Sequence, residues 1–282
     1  MAAAPRPEPQ SLPVSTLAFV ACVGTACMVW MLSGELVDAT PPTLSRWGGN
    51  FGLLTLYGHE WWRLASYAIL HGGLIHLGFN SLALIGLAPP TERTYGPGWT
   101  TAILVVSALT GGLLSAWMHP VTVSIGASGA IMGLGGALLA ATFAPRHRGT
   151  STARREQLIF WILLQVVVGA ATRLPIDHWC HLGGLLGGTA TGVAGVLVAT
   201  WRPRLYGILQ RPLLLLGVLP FLALGIQVVR YRDVPPRAVA DAAASDAATE
   251  VLWTACADRI HEKDWQRALP ACRTYNVADP QA

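Results

Sequence analysis

The sequence predicts an all-α polytopic membrane protein, and three observations lead there. Lys and Arg number 19 and Asp and Glu 15, so formal charges make up 12% of 282 residues, about half the roughly 25% of an average soluble domain. Hydrophobic residues reach 52% and the mean hydropathy is +0.46. The 30 Gly and 11 Trp fit helices that pack closely in lipid, with indole rings at the interfaces. This composition excludes an ordinary water-soluble enzyme, a disordered chain and a disulfide-dense secreted scaffold. A net charge of +4 invites a nucleic-acid reading, but 18 of the basic residues are Arg scattered between apolar stretches. They read as topology signals, with no nucleic-acid partner expected.

A spanning helix needs roughly 20 apolar residues, so charge-free stretches locate the spans. Residues 9–34 give the first. At 26 residues this stretch is longer than the roughly 7–15 residues of a signal-peptide core. Residues 64–91 give the second. Residues 94–145 hold 52 uncharged positions, enough for the third and fourth, with His119-Pro120 as the turn between them. Residues 157–172 make a short fifth of 16 residues, 178–201 the sixth and 212–229 the seventh. No 20–50-residue repeat and no inverted symmetry of the transporter kind is visible.

Orientation follows the positive charges, which short cytoplasmic loops retain. With alternating spans, Arg6, Arg93, Arg146, Arg148, Arg154, Arg155, Arg202, Arg204 and Arg211 share one side, against Arg46, Arg63 and Arg173 on the other. The expectation is a cytoplasmic N-terminal segment (1–13), a membrane core (14–201), a cytoplasmic loop and seventh span (202–230), and an exported tail (231–282). Cys256 and Cys272 of that tail would close a loop worth about 3 kcal/mol in an oxidising periplasm. Two buried free thiols are the alternative. Cys22 and Cys27 behave as small hydrophobes.

Polar side chains inside spans are costly and therefore informative. His71, His76 and Asn80 fall in the second span, Ser128 opens the fourth, and His178 and His181 open the sixth. These three spans enter from the non-cytoplasmic side, so their polar residues meet at similar depth. His76 and Asn80, four apart, share a helical face, whereas His71 and His76, five apart, would diverge by about 140°. Gly184, Gly188, Gly192 and Gly195 stand 3, 7, 11 and 14 residues after His181, a small-residue stripe that lets another backbone approach. The fourth span offers a matching surface in Gly129, Gly133, Gly135 and Gly136. Packing the two would bring Ser128 to His181.

A serine hydroxyl becomes nucleophilic when an imidazole takes its proton, so the pair predicts acyl transfer by a dyad. No mid-span carboxylate is seen to orient the histidine. The Ser128 backbone N–H and the side chains of Asn80 and His76 are the candidate oxyanion donors. The bland alternatives are a packing serine, a structural histidine and glycines that only join helices. Gly126-Ala127-Ser128-Gly129-Ala130 is not a soluble-hydrolase elbow, which needs Gly where Ala130 stands.

Five motifs in order, Glu60-Trp61-Trp62-Arg63, His71-x4-His76-x3-Asn80, Glu92-Arg93-x-Tyr95-Gly96, Gly126-x-Ser128-Gly129 and His181-x2-Gly184-x3-Gly188, resemble the rhomboid family of intramembrane serine proteases from about residue 46 to 200. The resemblance implies a six-helix bundle with an added seventh transmembrane helix. It implies Ser128 as nucleophile, His181 as base, and His76, Asn80 and the Ser128 N–H as oxyanion site. His71, Gly126, Gly129, Met132, Gly184, Gly188, Trp62 and Arg63 become structural supports. It further implies membrane-protein substrates cleaved in or near a transmembrane segment within the lipid bilayer, no metal and no cofactor, and a bacterial cytoplasmic (inner) membrane. Met132 stands where many members carry an aromatic, and Cys180 where a small Ala is usual. His178-x-x-His181 with Cys180 has metal-ligand residue types, but Cys180 points to another helix face. A non-catalytic relative that binds or escorts membrane helices is the competing function. A transporter is the third, disfavoured by the apolar lower halves of the spans.

Overall fold

The computed structural model of the chain describes residues 13–34, 39–144, 152–171 and 176–231. The tail calls, Cys256 and Cys272 included, lie outside these residues. Helix α1 runs Val14–Ser33, starting after Pro13. Both oxygens of Glu92 accept from its first turn, Val14 N at 3.1 Å and Ser15 N at 3.3 Å. A carboxylate there satisfies orphan N–H groups and complements the helix dipole. The short α2 (Pro41–Arg46) carries an N-cap from Thr40.

The charge-free stretch 64–91 is not one helix. A one-turn α3 (Arg63–Ser66) and a 3-10 turn (Tyr67–Ile69) come first, and α4 starts only at Leu74. Leu70 is extended, and the backbone beside it is tied to neighbouring segments. Ala39 N donates to Gly72 O at 2.6 Å and Trp30 Nε1 to His71 O at 3.2 Å. Absence of charge marks an apolar setting, not a helix, and His71 therefore precedes the helix that carries His76.

Helix α4 covers Leu74–Met118, 45 residues. At about 1.5 Å per residue a straight helix of that length would be more than twice as long as a hydrocarbon core is thick. It is divided at Gly96, whose φ of 75° and ψ of 169° are non-helical and open to glycine alone at low cost. The Tyr95 carbonyl freed there accepts from Tyr206 Oη at 2.5 Å and Gln210 Nε2 at 2.9 Å, and Gly98 N donates to Gln210 Oε1 at 2.8 Å. His76, near its start, lies against Gly126, which follows its end, so its halves fold back on each other. This is the expected second and third spans joined at Glu92–Gly96.

The expected turn at His119-Pro120 ends α4, with Thr122 N donating to His119 O. Two-residue strands follow that an all-helix reading omits. In β1 (Asn50–Phe51) and β2 (Val123–Ser124), Asn50 pairs with Ser124 and Phe51 with Val123, antiparallel. Helix α5 is Ser128–Ala141 and α6 is Thr152–Ala171. Charge counting shortened α6 because Glu156 lies inside it, as does Arg155. The guanidinium sits 4.2 Å over the Phe143 ring and bonds Thr142 at the end of α5.

Helix α7 is His178–Trp201 and packs chiefly on α4 and α5. Of residues 202–211, expected as a loop, only Arg202 is non-helical. Helix α8 (Pro203–Leu215) continues through a 3-10 turn into α9 (Leu219–Tyr231), Pro203 fitting a first helical turn. Helices thus stand at every expected span. Among the described residues four are long and apolar enough to cross a membrane: Val14–Ser33, Leu74–Met118, His178–Trp201 and Pro203–Arg230, with Ser128–Ala141 shorter.

Candidate active site

The bundle has two recognisable ends. At one end Glu92 accepts from α1, and Tyr206 and Gln210 donate to the Tyr95 carbonyl. At the other lie the start of α4, the β1–β2 pair, the start of α5 and the start of α7, and every candidate polar residue gathers there.

Ser128 is the first residue of α5, half-buried. Its approach is set by Gly126, with φ of 104°, a conformation that disfavours side chains. Space forbids one as well: a Cβ on Gly126 would lie 2.6 Å from His76 Nε2 and 3.3 Å from Asn80 Nδ2. The bare glycine therefore lets His76 and Asn80 stand directly against the segment entering Ser128. Asn80 is 7% exposed, and its Nδ2 has no partner among the described residues. A buried unpaired donor is costly, and one beside a nucleophile has a ready use. The first N–H groups of α5 face the same chemistry, since no intrahelical acceptor exists for them.

His181 is 9% exposed and lies in the first turn of α7. The glycine seam that places it is as the stripe predicts. A Cβ on Gly184 would fall on the Gly129 carbonyl, one on Gly188 on the Gly133 backbone, and one on Gly192 2.8 Å from Ala137 Cα. Gly195 departs from the stripe and meets Tyr95 and Trp99 of α4. A second glycine face binds α7 to α4: a Cβ on Gly183 would lie 2.9 Å from Gly111 Cα, and Thr110 Oγ1 donates to Gly183 O at 2.8 Å. Gly129, next to Ser128, and Gly184, one turn after His181, are in backbone contact. Among the described residues Ser128 Oγ makes no hydrogen bond to the His181 ring, and in free enzymes such bonds are commonly long, tightening once substrate is bound.

His71 and His76 are closer than helical spacing allows. Their rings are 5.1 Å apart because His71 sits on the extended segment before α4. His71 is 1% exposed, its Nδ1 3.3 Å from Ile69 O. The loop residues Glu60 and Arg63 are fully buried and paired at 2.7 Å, and Arg63 Nη1 also donates to Ser45 O and Gly49 O at 2.5 and 2.8 Å. Arg63 is therefore a brace for the loop before α4. Trp62 Nε1 donates to Gln227 Oε1 of α9 at 2.8 Å.

A Rhomboid domain matches residues 58–197. Similar proteins include Rhomboid protease GluP of Bacillus subtilis (strain 168), 35% identical over 176 residues, 62% of this chain and 34% of that protein. Rhomboid protease AarA of Providencia stuartii is 30% identical over 186 residues, 57% of this chain and 65% of that protein. RHOMBOID-like protein 4 of Arabidopsis thaliana is 33% identical over 178 residues, 62% and 43%. The chain belongs to the rhomboid family. The matches span between about a third and two thirds of these relatives' own lengths.

As a rhomboid, the chain is an all-α multi-pass membrane protein, and its two departures can be placed. Met132 is buried at 6% exposure, one turn after Ser128. Cys180 is 1% exposed, with Sγ 3.4 Å from Tyr67 Oη and the bare Cα of Gly129 making its room. Its backbone N–H is capped by Asp177, so it belongs to the helix start, and among the described residues no cluster of three metal-ligand types exists.

Sequence reasoning missed two residues of this rhomboid site. Asp177 is the N-cap of α7: its Oδ1 accepts from Cys180 N at 2.9 Å, its Oδ2 from Ser115 Oγ, and its carbonyl from His181 N at 3.0 Å. A search for carboxylates within spans overlooks it, although an Asp opening an apolar run is a cap signal. Tyr67 donates to Ala108 O at 2.7 Å, and its carbonyl accepts from Gly126 N at 3.0 Å. Nothing in an isolated tyrosine of a charge-free stretch announces that.

Proposed function

We propose that this protein is an intramembrane serine endopeptidase that cleaves membrane-protein substrates in or near a transmembrane segment. The observation that carries the reading is the direct backbone contact of Gly129 with Gly184, beside Ser128 and His181, while His76 and Asn80 stand against Gly126. The likeness to the bacterial proteins named rhomboid proteases supports it.

Ser128 Oγ attacks the scissile carbonyl as His181 takes its proton. The carbonyl oxygen becomes an oxyanion, which the Ser128 N–H, Asn80 Nδ2 and His76 receive. His181 then gives its proton to the departing amine, leaving an acyl-serine, and a water activated by the same imidazole releases the acid and restores Ser128. Each preorganised donor of this kind contributes about 3 to 4 kcal/mol in serine proteases. No cofactor enters the scheme. The site end faces away from the cytoplasm of a bacterial inner membrane, following the Arg distribution, with the N-terminus inside.

The test is covalent labelling of the purified protein in detergent by a fluorophosphonate, with Ser128→Ala and His181→Ala beside it. Labelling of the wild type that is lost in both variants is the expected result. A folded wild type that does not label moves the weight to a non-catalytic protein that binds or escorts membrane helices.

A further inference from the structure

Helix α9 lies outside the segment matched by the Rhomboid domain, yet its outer turns grip the loop that supports the nucleophile. Gln227 is 1% exposed in a helix that is apolar up to it, with Arg230 and Tyr231 at the end. A buried amide is tolerated only when its hydrogen-bonding groups are satisfied, and both ends of this one are. Its Oε1 accepts from Trp62 Nε1 at 2.8 Å and its Nε2 donates to Arg46 O at 2.5 Å. One turn on, Arg230 Nε stands 3.4 Å from Glu60 Oε1 and its guanidinium 5.2 Å over the Trp62 ring. Two segments on either side of the β1 strand, the end of α2 and the Glu60–Arg63 turn, are thus pinned to one helix.

From there a short bonded path leads to the serine. Trp62 O accepts from Ala65 N and Ser66 N of α3, and Ser66 Oγ donates to Gly48 O at 2.7 Å. The next residue, Tyr67, accepts Gly126 N on its carbonyl at 3.0 Å. Gly126 is the glycine whose φ of 104° aims the chain into Ser128.

We propose that Gln227 is a positioning residue for Ser128, holding the Trp62–Tyr67 segment so that Gly126 presents the nucleophile. The proposal rests on the serine-protease reading. It makes α9 a strap across the site end of the bundle, acting through Trp62 and Tyr67 and touching no substrate.

The experiment is a double-mutant cycle on the full chain, Gln227→Leu and Trp62→Phe, in two readouts. The first is fluorophosphonate inactivation, separated into maximal rate constant and half-saturating probe concentration. The second is backbone hydrogen exchange across residues 62–67 and 126–128. Loss of one or two hydrogen bonds in the path predicts a maximal rate about tenfold lower in each single variant. The half-saturating concentration stays unchanged, exchange rises in both segments, and the double variant is no slower than the slower single one. Arg230→Met, which removes a half-exposed partner, provides a second variant of smaller effect, with Arg230→Lys restoring part of it. Wild-type rate and exchange in Gln227→Leu, or rate losses that multiply in the double variant, overturn the strap while Ser128-dependent labelling of the wild type leaves the protease reading standing. A wild type that never labels overturns both.

Discussion

Substituting Gly184 by alanine puts one methyl group where the α5 and α7 backbones touch. The added Cβ would stand 2.6 Å from the Gly129 carbonyl carbon and 2.9 Å from its Cα, against 3.4 Å for ordinary contact. The Gly129 carbonyl oxygen would be nearer still, so the helices must part by more than about 0.8 Å, and no side-chain rotation relieves the overlap because both partners are backbone. Overpacking of this kind costs about 1 to 3 kcal/mol, partly offset by the roughly 1 kcal/mol by which Ala is favoured over Gly inside a helix. The larger effect falls on catalysis: a displacement near 1 Å between reacting groups costs on the order of 100-fold, and the separation is imposed one residue from Ser128. Gly86→Ala is the control, since its Cβ would meet nothing within 4 Å and the site is exposed. The assay pairs thermal unfolding with the fluorophosphonate labelling rate. Gly184→Ala should label at least tenfold more slowly with a modest fall in Tm, whereas Gly86→Ala should label as wild type and melt no lower. Labelling of Gly184→Ala at the wild-type rate refutes the idea that this contact sets the Ser128–His181 geometry.

Two further outcomes follow from the polar groups. Asn80→Leu removes the unpartnered Nδ2 beside Gly126. Cleavage of a transmembrane substrate should drop about 100- to 1,000-fold in kcat, with KM held and Tm undiminished, because no satisfied bond is lost; a kcat above a tenth of wild type counts against the oxyanion assignment. Arg63→Met takes from the buried Glu60 carboxylate its 2.7 Å partner, leaving Arg230 at 3.4 Å, and removes one of the donors to the Ser45 and Gly49 carbonyls. It should destabilise by about 3 to 5 kcal/mol, read as a large fall in Tm, and Glu60→Gln added to it should recover part of that loss.

The parts of this architecture readable from the sequence are those in which one dimension carries the physics. A helix repeats every 3.6 residues, so glycines 3, 7 and 11 positions after His181 had to share its face, and they do meet α5. Gly195 breaks away because packed helices cross, and by the fourth turn the neighbour is Tyr95 of α4 rather than α5. Charge gaps locate apolar surroundings but carry no information on backbone conformation. They ran Leu70–Gly73 into a helix, hid the β1–β2 pair, truncated α6 at Glu156 and turned the start of α8 into a loop. Long-range partners are the least legible: nothing in the sequence links Gln227 to Trp62, 165 residues away.

Two of these misreadings, Leu70–Gly73 and the β1–β2 pair, share one cause. Irregular backbone between apolar helices has no water to bond with, so it persists only where protein groups satisfy it. The segment before α4 is held by Ala39 N and Trp30 Nε1, the one before α5 by the β1 ladder and Tyr67 O, and the start of α7 by Asp177. The bonds before α4 and α5 come from distant parts of the chain, which is why sequence pattern misses them, whereas Asp177 is a local cap that Ser115 of α4 anchors. The arrangement also explains why the candidate chemistry sits at this end. A regular helix consumes its own N–H groups, whereas α5 begins at Ser128 and leaves its first ones to be used by something else. The glycine seam then sets how closely the two reacting helices approach, and the satisfied loops set the direction from which the serine meets its base. Altering the seam should therefore change labelling rate and stability together, while altering Asn80 should change rate alone, a separation that a purely structural role for these residues does not produce.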